Sequence, residues 1–188
     1  MPVPEAFADA ETVDFAAPEG TEAPTWVDVQ ECVMSQQEND EWCWAACTQA
    51  IERALGNSVT QCSIANAATN LQCCDDVDGE GANALTQCVA TRSLQEVLDA
   101  RKRLLSTGGP LEIAAIRAQI KSRKRPLGCF IRLPPDNHFV VIAAYSATDD
   151  LVGIFDPAKD VSQDLIPIDL SGLAGYRGGN WEETYFIR

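Results

Sequence analysis

The change of hydrophobic period at Pro126 most constrains the fold of this chain. Before it, apolar residues recur at helical spacing. In residues 42–56 these are Ala46, Ala50, Ile51, Ala54 and Leu55, with Gly56 as a C-terminal stop. A second, Ala-rich helix is expected over residues 61–71. Ser93-Leu-Gln-Glu96 has the spacing of a capping box, and Leu94, Val97, Leu98, Leu104 and Leu105 supply one apolar face of a third helix. Residues 110–125 repeat that logic with Leu111, Ile113, Ile116 and Ile120. After Pro126 the pattern suits strands at 127–133, 138–145, 151–155, 165–168 and 183–187, separated by turn residues such as Pro134-Pro-Asp-Asn137 and Asp149-Asp150. Helices followed by an antiparallel sheet make an α+β arrangement, and a cleft between the two halves is the natural place for a site.

The first 25 residues stand outside this pattern. Positions 1–41 hold eleven acidic residues and no Lys or Arg, and Pro2, Pro4, Pro18 and Pro24 interrupt any period, so residues 1–25 are expected to be an extended or disordered lead-in or pro-segment. Residues 26–188 are then one domain of ordinary size, large enough to bury a core. The 14 basic and 28 acidic residues give a net charge of -14, which repels phosphate backbones and anionic lipid surfaces and excludes nucleic acid and membrane as partners. Eight of the basic residues fall between Arg101 and Arg125, a strip that reads as a solvated helix face or as a dock for the acidic lead-in.

The candidate chemistry starts from the only histidine, His138, placed after a Pro-Pro-Asp-Asn turn at the mouth of an apolar strand. Cys43 opens the first strong helix, where free N–H groups and the positive dipole end stabilise a thiolate. Gln37 lies six residues before it, close enough for its amide and the Cys43 N–H to converge as an oxyanion hole. Asp156, 18 residues after His138, falls at the end of the next strand, where a carboxylate can fix the imidazole tautomer and stabilise its cation.

The run from Gln37 through Trp42-Cys43-Trp-Ala-Ala-Cys47 resembles the Gln-to-Cys-Trp signature of papain-like cysteine peptidases. It is most similar to a bacterial, secreted or effector-type branch that also carries Cys62-Ser-Ile-Ala65, a Cys73-Cys74 pair, an Asn137-His138-Phe block and a Phe155-Asp156-Pro157 block. The resemblance spans residues 29–188. It implies a papain-like fold, with a helical lobe over about 26–125 and an antiparallel β lobe over about 126–188, and the active-site cleft between them. It also implies an endopeptidase in which Cys43 attacks the scissile carbonyl, His138 pairs with the thiolate and protonates the leaving amine, Asp156 orients the imidazole and Gln37 receives the oxyanion. The third member is Asp rather than the Asn of papain itself. Such an enzyme needs no cofactor or metal and works as a monomer on a protein or peptide substrate. A transglutaminase or deamidase using the same thioester, and a non-catalytic disulfide-stapled binding module, are the rival readings.

Apart from Cys43, Cys32, Cys47, Cys62, Cys73, Cys74 and Cys88 lie in the N-terminal half and allow three disulfides in 15 pairings, leaving Cys129 alone in an apolar strand. A zinc site fits poorly, because the vicinal Cys73-Cys74 pair and the lack of Cys-x2-Cys units are unlike its ligand spacing. Disulfides place the protein in an oxidising, extracytoplasmic compartment, although the N-terminus has neither the basic nor the apolar region of a signal peptide.

Overall fold

In the computed structural model, which describes residues 24–74 and 88–188, the helix-then-sheet order of the sequence survives with two exceptions. Helix α1 (Cys43–Ala54), α2 (Gln61–Thr69), α3 (Leu94–Ala100) and α4 (Ile113–Ala118) come from the first part and α5 (Leu170–Ala174) from the second. Strands β3 (Leu127–Leu133), β4 (Asp136–Ser146), β5 (Leu151–Phe155), β6 (Ile166–Asp169) and β7 (Asn180–Ile187) form the expected antiparallel sheet. The exceptions are β1 (Trp26–Asp28) and β2 (Leu104–Gly108), which the helical half contributes to that sheet. Among the described residues the strand order is β2-β7-β3-β4-β5-β6. β1 pairs with the end of β4, placing Trp26 opposite Ser146.

Local chemistry explains where the expected elements stop. Thr60 and Ser63 cap α2 reciprocally, and Asn70 closes it in the left-handed conformation. Ser93 caps α3 as its spacing implies. The expectation that Leu104 and Leu105 extend that helix's apolar face is corrected: the helix ends with Lys102 at φ 59°, the Lys102 N–H on Asp99 O and the Arg103 N–H on Leu98 O, both at 2.8 Å. This is the two-bond closure that glycine usually makes, and it turns the two leucines into an edge strand. The segment before Pro126 is shorter than expected: α4 begins at Ile113 and passes into a π-helical turn over Gln119–Arg123, which Lys124 ends at φ 53°.

The core lies between α1 and the sheet. α1 is buried from Cys43 to Glu52, and β4 from His138 to Ser146, so the strand carrying the histidine is covered on both faces. Fully buried Trp44, Ile51, Leu98, Ile131 and Ile142 anchor this layer, each contributing on the order of 2 kcal/mol through removal from water. Much of the basic strip is tied into the structure. Arg101 and Arg103 pair with Glu52, whose side chain is wholly buried, at 2.7 and 3.1 Å. Arg117 donates to the carbonyls of Ser146 and Asp149.

The three-disulfide expectation is also corrected. Two disulfides form, Cys62–Cys74 and Cys73–Cys88, while Cys32 and Cys47 are free and buried. Cys47 lies in the middle of α1 and donates its S–H to the Phe139 carbonyl at 3.3 Å, so it is part of the core against β4. Cys43 and Cys129 are free as well. The proposed lead-in of residues 1–25 lies almost wholly outside the described residues, as does any contact it makes with the basic strip.

Candidate active site

Cys43 is the first residue of α1. Trp42 at the N-cap offers no side-chain cap, and no acidic residue occupies the first turn. The helix therefore keeps its N-terminal N–H groups and positive dipole end for the sulfur beside them. The approach is fixed by aromatic packing: Trp42 and Trp44 lie 6.4 Å apart between centroids, and the Trp42 indole N–H donates to the Cys88 carbonyl at 2.6 Å. Trp44 is a fully buried core indole.

His138 sits near the start of β4, opposite Ile131 of β3. Its Nε2 is 2.7 Å from Asp156 Oδ1, which leaves Nδ1 for the cysteine. Burial opposes a charge on this ring, but the bond to Asp156 and the interaction with the Cys43 side chain outweigh it and raise its pKa to about 9. The imidazolium is thus the form this environment favours at neutral pH. Asp156, directly after β5, is completely buried. Its Oδ1 also accepts the Ala158 N–H at 2.8 Å, and its Oδ2 accepts the Tyr176 hydroxyl at 3.0 Å with Arg177 Nη1 at 3.6 Å. Burial alone would raise this carboxyl's pKa, yet His138, the Ala158 N–H and Tyr176 hold it below the usual carboxylate range.

Gln37 is buried on the loop that leads into α1. Its N–H donates to the Pro157 carbonyl at 2.8 Å, tying this loop to the residue after Asp156. One amide hydrogen of its side chain goes to the Asp40 carbonyl, and Oε1 is buried without a partner. Lys159 Nζ reaches Asp40 Oδ1 at 2.8 Å and clips the same two segments together. The four candidate residues, from α1, β4, the end of β5 and the loop before α1, thus converge on one region.

Four neighbours of the site went unread in the sequence. The Ala158 N–H is a backbone donor and leaves no sequence signal. Tyr176 and Arg177 lie in a short turn whose Gly178-Gly179 pair marks a bend, but nothing in the spacing points it at Asp156, 20 residues upstream. Cys47 lies close enough to Cys43 and Asp156 for their charges to act on it; burial first, then those two groups, push its thiol pKa well up. That keeps it protonated and unreactive. Among the described residues, no cluster of His, Cys, Asp and Glu has a metal-binding arrangement.

Residues 29–187 match the Peptidase_C39 like family. The chain belongs to this family. Membership supports a cysteine peptidase in general, and the mixed helices and antiparallel sheet are consistent with an α+β, papain-like fold. A candidate C39-like peptidase from Bacillus anthracis is similar in fold, with a TM-score of 0.53 and 17% identity, over 87% of this chain and 98% of the other. None of the curated proteins matches this sequence.

Proposed function

We propose that this member of the Peptidase_C39 like family is a cysteine endopeptidase working through Cys43, His138 and Asp156. One observation carries the reading: a free cysteine stands at an uncapped helix N-terminus and is among the groups that raise the pKa of an imidazole whose Nε2 is held at 2.7 Å by a buried carboxylate. The Cys43 thiolate attacks the scissile carbonyl carbon, and the carbonyl π electrons move onto oxygen. His138, as imidazolium, gives its Nδ1 proton to the leaving amine as the C–N bond breaks and a thioester forms. The neutral imidazole then takes a proton from water, which attacks the thioester and releases the acid and the thiolate. Asp156 keeps the ring in the tautomer that presents Nδ1 to the sulfur. The Cys43 N–H and the second amide hydrogen of Gln37, the one not used on Asp40, are the donors for the oxyanion.

The substrate is a protein or peptide, and the charge of -14 favours neutral or basic ones. The two disulfides suit an extracytoplasmic setting, and no helix among the described residues is long and apolar enough to cross a membrane. We assign a monomer.

The test is alkylation with iodoacetamide at mildly acidic pH, followed by peptide mapping and by analysis of products from an unstructured protein substrate. Selective labelling of Cys43, abolished in His138→Ala, together with new peptide N-termini, is expected. Released ammonia or isopeptide links without new N-termini would move the assignment to a deamidase or transglutaminase. Absence of selective labelling would leave a non-catalytic module.

A further inference from the structure

Asp156 is held by more than the reaction scheme uses. Its Oδ1 already has two donors, His138 Nε2 and the Ala158 N–H. Its Oδ2 points the other way, into a turn from a separate part of the chain, where the Tyr176 hydroxyl donates at 3.0 Å and Arg177 Nη1 stands at 3.6 Å. Arg177 is itself anchored by Asp160, with Nη2 to Oδ2 at 2.8 Å. A carboxylate with only one face engaged can rotate about χ2 and exchange its oxygens. With both faces engaged it cannot, and the direction of the bond to Nε2 is fixed.

The turn shows the backbone arrangement that this clamp requires. Arg177 has φ 55° and ψ 21°, a left-handed conformation outside the preference of a residue with a Cβ, and Gly178 follows at φ 80°. Strain of this kind persists only where surrounding contacts over-determine it. Two such contacts are visible. Upstream, Asp169 caps α5, which delivers the chain to Tyr176, through its Oδ1 on the Gly172 N–H at 2.6 Å. Downstream, the backbone at Gly179 presses so closely on β3 that a Cβ there would lie 2.5 Å from the Arg132 carbonyl oxygen. The turn is therefore wedged between α5 and the end of β3.

We propose that Tyr176 and Arg177 are positioning residues for the Cys43–His138–Asp156 relay, clamping Oδ2 so that Asp156 stays ionised and keeps Oδ1 on His138. This rests on the peptidase reading above for its catalytic meaning, but the clamp itself can be observed without any substrate. The ionisable groups around Asp156 are His138 from β4, Cys43 and Cys47 from α1, Tyr176 and Arg177 from the turn, and Asp160 from the segment after β5. Of these, Tyr176 and Arg177 act on Oδ2. Tyr176 lowers the Asp156 pKa by hydrogen bonding, and its own hydroxyl is pushed up by burial and by that carboxylate, so it remains a donor.

Because His138 is the only histidine, its ring protons give a single assignable pair of proton NMR signals in the intact protein. Their chemical shift reports both its own titration and, at acid pH, protonation of Asp156 at the far side of the bond. The variants are Tyr176→Phe, which keeps the ring and removes one donor, Arg177→Gln, which removes the charge, and Arg177→Lys as the conservative control. Tyr176→Phe and Arg177→Gln are expected to move the acid transition of the His138 signal to higher pH by at least about half a unit and to lower kcat/KM about ten-fold, with the acid limb of the rate profile shifting in step. Arg177→Lys restores most of both. Circular dichroism and melting confirm which variants are folded; if Tyr176→Phe fails to fold, the Arg177 pair carries the comparison. An unchanged acid transition in a folded Tyr176→Phe or Arg177→Gln protein overturns the clamp. A shifted transition in a protein without peptidase activity keeps the clamp and removes only the hydrolase assignment.

Discussion

At the residue scale, the site depends on a charge that its surroundings both penalise and reward. Burial disfavours the His138 cation, and Asp156 and Cys43 more than compensate, so its pKa stands at about 9 in the folded protein against 6.5 for the free side chain. A basic group raised by folding adds stability that is complete below the unfolded value and is lost as pH climbs through the folded one. The urea midpoint is therefore expected to fall as pH is taken from about 6 to about 8.5, and His138→Ala should flatten most of that slope. A slope unchanged by the substitution would mean that the ring is not held as a cation. The buried Cys32 thiol, pushed up to about 12, belongs to a separate window above pH 9. In the enzyme assay, Cys43→Ala should remove at least about 10^4-fold of kcat/KM, the scale seen when a nucleophile is deleted from a cooperating triad. These candidates stood out in the sequence because few side chains could do the chemistry: one histidine, a cysteine that opens the first strong helix and one Asp-Pro at a strand end. The Oδ2 partners of Asp156 were not, since a hydrogen bond across 20 residues depends on a turn whose direction no local pattern encodes.

At the scale of elements, helix α1 carries the proposed nucleophile, Cys43, but lacks a capping side chain, so its N-terminus is fixed by other means. Trp42 donates to the carbonyl of Cys88, and Cys88 is disulfide-bonded to Cys73. The second bridge, Cys62–Cys74, joins α2 to the same cysteine pair; its Cys62 sulfur stands 3.5 Å from Glu38 Oε2 on the loop before α1, a looser hold than the hydrogen bond from Trp42 to Cys88. Closing loops of 12 and 15 residues, each bridge restricts the unfolded chain to a similar degree, and each should be worth about 3 kcal/mol. Their effects on activity should differ. Cys73→Ser with Cys88→Ser is expected to lower kcat/KM several-fold more than Cys62→Ser with Cys74→Ser at comparable loss of stability, as measured by urea unfolding and steady-state kinetics. Equal losses of activity would separate the bridge from the placement of Trp42. Elements bounded by strong punctuation, such as β3 after Pro126 and α2 after Thr60, were readable in the sequence. β2 was not, because Lys102 takes the closing position that glycine usually occupies and hides the end of α3.

At the scale of the whole molecule, the two halves are less separate than the change of period at Pro126 implies. β2 leaves the helical half to become the edge of the sheet against β7, so α3 and β2 form a bridge between α1 and the sheet that must be fixed to α1. Glu52 fixes it. Its carboxylate, fully buried near the end of α1, receives Arg101 from the end of α3 and Arg103 from the residue before β2. Burial would raise its pKa, but the hydrogen bonds from Arg103 and Arg101 prevail and hold it below the ordinary value of 4.5. Its contribution is therefore present above that value and lost as pH falls through the folded one. Glu52→Ala leaves the two partly exposed arginines without the buried carboxylate they share and should cost about 3 kcal/mol. The loss should also be regional. Amide exchange in β2 and in its partner residues of β7 should accelerate well beyond that in the β3–β4 ladder, because only the edge strand loses its tether. Replacing all three partners at once, Glu52→Leu with Arg101→Met and Arg103→Met, should recover most of the stability, since an apolar cluster of similar volume avoids the cost of burying charge. If the triple variant stays as unstable as Glu52→Ala, the network contributes directional hydrogen bonds that packing cannot replace, and the tether between the lobes is electrostatic rather than a matter of filled volume.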